Sequence, residues 1–129
     1  MVPDHCRLQV DLAVIPGVEL TDAERQLREA VEEMGAVLEI TDLAPAYATD
    51  VAGAHVEKLL LAHETALGQP ATLTGMRSWT DAEHLVCKDI PCVVYGAGDL
   101  AVAHSSREDV AVSELEKLAV VLAEFIARW

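Results

Sequence analysis

Polar and apolar residues alternate from Arg7 to Val14, with Leu8, Val10, Leu12 and Val14 on one side and Arg7, Gln9 and Asp11 on the other. This two-residue period is that of a half-buried strand, and Ile15-Pro16-Gly17 ends it. The period then changes. Leu27, Val31 and Met34 recur at helical spacing behind Thr21 and Glu24, a capping-box pair, and Gly35 stands at a stop position, so a helix is predicted from about Asp22 to Met34. Ala36 to Thr41 reads as a second strand with Leu38 and Ile40 inward. The result is a strand-helix-strand unit, half of a small domain.

Pro45 interrupts the periodicity within Leu43 to Tyr47, which places a hinge there and divides the chain into residues 1–42 and 43–129. Beyond it, Val56, Leu59, Leu60 and Leu67 form the buried stripe of a helix closed by Gly68 and Pro70. A short strand over Ala71 to Thr74 follows, and Thr80 with Glu83 reads as a capping box opening a short helix. Ile90 to Tyr95 is a continuous apolar run of the kind found in strands covered on both faces, which are usually parallel. After Gly96-Ala97-Gly98 and a loop through His104, Ser113 and Glu116 cap a last helix that carries Leu115, Leu118, Leu122, Phe125 and Ile126 inward. Alternating helices and apolar strands predict an open α/β layer, in which sites form at the carboxyl ends of strands. The loop from Gly96 to Asp109 lies at such an end.

Composition narrows the functions available to this layer. A hydrophobic share of 52% without a low-complexity tract argues for a globular chain. The net charge of −13, with no cluster of Lys or Arg, would repel a phosphate backbone, so no nucleic-acid partner is expected. No apolar run approaches the roughly 20 residues of a membrane span and the N-terminus does not resemble a signal peptide, so the cytoplasm is the expected compartment and no membrane partner is expected. Cys6, Cys87 and Cys92 are odd in number and lack paired metal spacing, which predicts buried free thiols.

Several residues have the chemistry of a site. His104 follows an apolar run and a glycine-bearing loop, where an imidazole can bind a metal or carry a proton, although a lone loop histidine also serves as a surface or packing residue. Asp81, between Thr80 and Glu83, sits in a helix's first turn, where an acid is favoured without any further role. Gly96 and Gly98 could let the backbone turn sharply beside a substrate, as glycines at strand ends also do in ordinary turns. His55 with His63, and Asp81 with His84, have helical spacing but no evident third metal ligand, and Glu32-Glu33 reads as a solvated face beside the apolar stripe.

Read in order, Trp79-Thr80-Asp81-Ala82, Asp89-Ile90-Pro91, Val94-Tyr95-Gly96-Ala97-Gly98 and Ala103-His104-Ser105-Ser106-Arg107-Glu108-Asp109-Val110 resemble elements of the acetylornithine deacetylase / succinyl-diaminopimelate desuccinylase family of zinc deacylases and exopeptidases. Upstream, Val2-Pro3-Asp4-His5-Cys6-Arg7-Leu8 with Asp11 and Ile15-Pro16-Gly17 is similar to a strand of that family's lid domain. The resemblance implies a partial lid or dimerisation domain over residues 1–42, the strand-helix-strand of a ferredoxin-like α+β unit. Residues 43–129 would then be the C-terminal half of an α/β zinc-exopeptidase catalytic domain.

That resemblance makes His104 the last ligand of a two-zinc centre, with cobalt as an alternative metal, and Asp81 a supporting residue. Gly96 and Gly98 would lie by the substrate. The implied activity is hydrolysis of an N-acyl amino acid or peptide amide by metal-activated water. The chain departs from the family at Ala13 and Glu83, where many relatives carry Arg, and at Ala97, where they carry Pro. It has no His-x-Asp element. The implied enzyme therefore needs an N-terminal half in cis or in trans and is inactive as this chain alone, and the resemblance implies a homodimer formed through the lid. The competing reading is a non-catalytic truncated module for self-association or protein interaction.

Overall fold

The computed structural model describes residues 4–76 and 78–129. They form four helices, α1 (Leu20–Glu33), α2 (Ala54–Leu67), α3 (Ala82–Val86) and α4 (Val112–Ala127), and no strand is present among the described residues. The predicted α/β architecture is thereby corrected: the described secondary structure is all helical. The segments read as strands carry no regular secondary structure, and no backbone hydrogen bond joins one to another among the described residues. Alternation reports which side chains could share a face. A strand also needs a neighbour to take its N–H and C=O groups.

The chain divides into two compact units, Met1–Ala48 and Thr49–Trp129. In the first, Pro16 and Gly17 make the turn that ends the alternating segment: Val18 N–H bonds Ile15 C=O at 3.2 Å, and Gly17 takes φ +93°, the conformation a type II turn requires at its third residue. α1 begins at Leu20, earlier than the capping box would allow. Its start carries no side-chain cap, and Glu24 instead accepts from Arg28 one turn on, at 2.8 Å. The helix ends as predicted near Gly35, where Gly35 N–H bonds Glu32 C=O at 2.9 Å and Ala36 N–H bonds Val31 C=O at 3.1 Å, the paired bonds of a Schellman motif.

Leu27 and Val31 on α1, with Leu38 and Ile40 after it, are half-buried, and no residue of α1 is fully buried. The alternating segment before it leaves Leu8 82% and Val10 67% exposed. Arg7 and Glu39, both exposed, pair at 3.3 Å between these two segments, a contact that adds little stability.

In the second unit α2 packs against α4. Val56, Leu59 and Ala62 of α2 and Val121 of α4 are buried and form its core. Gly68 closes α2 with φ +71° and donates its N–H to Glu64 C=O at 2.8 Å. At the far end of α4, Phe125 and Trp129 pack at a ring separation of 5.7 Å, Lys58 of α2 lies 4.5 Å over the Trp129 ring, and Arg128 donates to Thr65 at 3.1 Å. Ser113 and Glu116 do not cap α4, whose start carries no side-chain cap bond.

The run from Ile90 to Tyr95, read as a strand covered on both faces, forms no strand and leaves Ile90 and Val94 each 47% exposed. The three thiols are free, as expected, but Cys6 and Cys87 are exposed and Cys92 half-buried, not enclosed. No helix among the described residues is long and apolar enough to cross a membrane.

Candidate functional site

The loop after Tyr95 is held by its own polar groups. Gly98 has φ +88°, a conformation that disfavours a side chain, and donates its N–H to Glu114 of α4 at 3.0 Å. Gly96 does not share that conformation. Asp99 accepts the N–H of Ala101 at 2.8 Å, and successive turns carry the chain to Ser105, whose hydroxyl donates to Val102 C=O at 2.6 Å and accepts from Arg107 N–H at 3.1 Å. Between them stands His104, exposed and with φ +60°. Its backbone N–H donates to Glu108 at 2.7 Å. The Glu108 carboxylate thus ties down this turn.

The imidazole of His104 therefore sits on an anchored loop open to solvent, where it can meet a ligand or exchange a proton. Among the described residues it has no partner ligands. Among the described residues no group of three or more His, Cys, Asp and Glu side chains could hold a metal ion, and a catalytic zinc takes three protein ligands. The implied zinc pair, or cobalt in its place, would need further donors from outside the described residues.

Asp81 is exposed and opens α3. Its carbonyl accepts from His84 N–H at 3.1 Å, and Thr80 Oγ1 accepts from Ala82 N–H at 3.1 Å, so this segment makes a helix start. No hydrogen bond or ion pair joins Asp81 to His104 among the described residues.

Two constellations escaped the sequence reading. Glu83, taken as a capping-box partner, is 8% exposed and is the buried charged residue of the described chain. One carboxylate oxygen accepts from Trp79 Nε1 at 2.5 Å, and the other lies 3.6 Å from His84 Nδ1. The spacing of Trp79 and Glu83, four residues apart, was the available signal.

His63, considered with His55 as a metal pair, instead bonds Tyr95: Nδ1 and the hydroxyl are 2.8 Å apart, with the rings edge to face at 5.9 Å. Burial pushes the Tyr95 hydroxyl pKa up from its ordinary value. His55 folds onto Gly53, where an added Cβ would come within 2.7 Å of its Cε1, and its buried Nε2 has no hydrogen-bond partner among the described residues. Beside it is an open cleft of about 360 Å³ lined by His55, Leu85, Cys92, Val93, Phe125 and Trp129 among others.

No family model matches the chain, and no solved structure matches it. Among curated proteins it is similar to the N-formyl-4-amino-5-aminomethyl-2-methylpyrimidine deformylase of Bacillus subtilis (strain 168), with 29% identity over 147 residues that take in 99% of this chain and 34% of the relative. The chain thus spans about a third of that relative's length.

The relative is a deformylase by name, hence a hydrolase of an amide, and similarity to a hydrolase holds at that level. Assignment to the acetylornithine deacetylase / succinyl-diaminopimelate desuccinylase family is corrected, because the similarity found is to a pyrimidine deformylase and no family model supports the assignment. The short elements that suggested it have local roles of their own. Thr80 and Asp81 start a helix, and Gly98 makes a left-handed turn.

Proposed function

We propose that this chain is part of a hydrolase that removes an acyl group, formyl foremost, from the amino nitrogen of a small molecule. The observation that supports the reading is similarity along 99% of the chain to a deformylase of a formylated aminomethylpyrimidine. In such a reaction water adds to the formyl carbon, the C–N bond breaks, the amine leaves with a proton, and formate is the second product. His104, exposed on its anchored loop, is the residue of this chain suited to carry that proton or to contact the substrate. Any metal in the reaction would draw its other ligands from a further part of the protein, in cis or in trans.

The test is a chimaera in which this chain replaces the matching third of the relative, assayed for formate release from N-formyl-4-amino-5-aminomethyl-2-methylpyrimidine. Release above that of the relative lacking this third, with a large loss on His104→Ala, supports the proposal. A well-folded chimaera that releases no formate overturns it; release unaffected by His104→Ala removes His104 from the mechanism.

A second reading, a non-catalytic module for self-association, is favoured by one feature. Leu8, Val10 and Leu12 are 62–82% exposed on a segment without a backbone partner among the described residues, and an alternating apolar segment of that kind can add to another chain edge to edge. Light scattering of the isolated chain distinguishes the readings, since the module requires a stable oligomer that a charged residue at Val10 dissolves.

A further inference from the structure

We draw no further inference here: the strongest candidate, the open apolar cleft between the start of α2, the 91–93 segment and the end of α4, with the unpartnered His55 Nε2 beside it, carries nothing because nothing in the structure shows what covers it.

Discussion

Glu108 accepts the backbone N–H of His104 at 2.7 Å, and this bond spans the turn on which the candidate imidazole is displayed. A carboxylate acceptor makes the bond stronger than a neutral one. Glu108→Ala should therefore free the turn: the His104 amide exchanges faster with solvent, while the global unfolding transition moves by less than about 0.5 kcal/mol because both residues are exposed. Glu108→Gln, which keeps an acceptor, should fall between. Hydrogen exchange followed by NMR reads this directly, and unchanged protection in Glu108→Ala would show that the turn is held by Ser105 alone.

The isolated chain should bind zinc weakly. His104 offers one nitrogen, and the described residues provide no group of three ligands. Equilibrium dialysis at neutral pH should find no stoichiometric site and no difference after His104→Ala. Tight binding of one ion, abolished by that substitution, would mean that donors assemble around His104 in solution.

The two units should differ in resistance to core truncation. Leu59 is 6% exposed between α2 and α4, so Leu59→Ala removes buried methyls and leaves a cavity, at a cost of about 2–5 kcal/mol. Leu27 of α1 is only half-buried, and Leu27→Ala should cost about 1 kcal/mol. Urea denaturation of the two variants gives the comparison. Equal costs would contradict the burial difference.

Gly68 closes α2 in the left-handed conformation, at φ +71°, with no atom within 4 Å of where a Cβ would stand. Gly68→Ala therefore meets no clash, and its cost is that of the backbone conformation alone, about 1 kcal/mol. Gly68→Asn should cost less, since Asn tolerates this region better. Thermal unfolding should rank the three proteins Gly, Asn, Ala.

Helix ends of this kind were legible in the sequence because they are local. Gly35 and Gly68 stop α1 and α2 where their spacing from the apolar stripe said they would. Helix starts were less so. Thr21 with Glu24 satisfies a capping pattern, yet Glu24 is also four residues from Arg28, and the ion pair took the carboxylate. The segments read as strands failed for a different reason. The alternation of Leu8, Val10 and Leu12 is the same whether or not a neighbouring strand exists, and no ladder forms among the described residues.

At the candidate site, sequence order indicated the His104 loop but not what fixes it. Nor did it indicate that His63 would find Tyr95, 32 residues away, because the bond depends on how α2 meets the segment before Gly96. Motifs made of turn residues are ambiguous by nature: Asp81 and Gly98 are explained by the helix start and the turn they make.

Tyr95 supplies the pH dependence. Burial holds its hydroxyl pKa above the value of about 10 it takes when the chain unfolds. Between these two values the folded chain keeps a proton that the unfolded chain has released, so stability falls as pH rises from about 10 through the raised folded value. Below pH 10 this contribution is fully present. Absorbance near 295 nm should show one tyrosine ionising late, and Tyr95→Phe should remove that component. The same substitution leaves the half-buried His63 Nδ1 without its 2.8 Å partner, and the loss should cost about 1 kcal/mol at neutral pH. If Tyr95→Phe instead removed an ordinary early-titrating component, the hydroxyl would have to be open to water in solution and its bond to His63 absent.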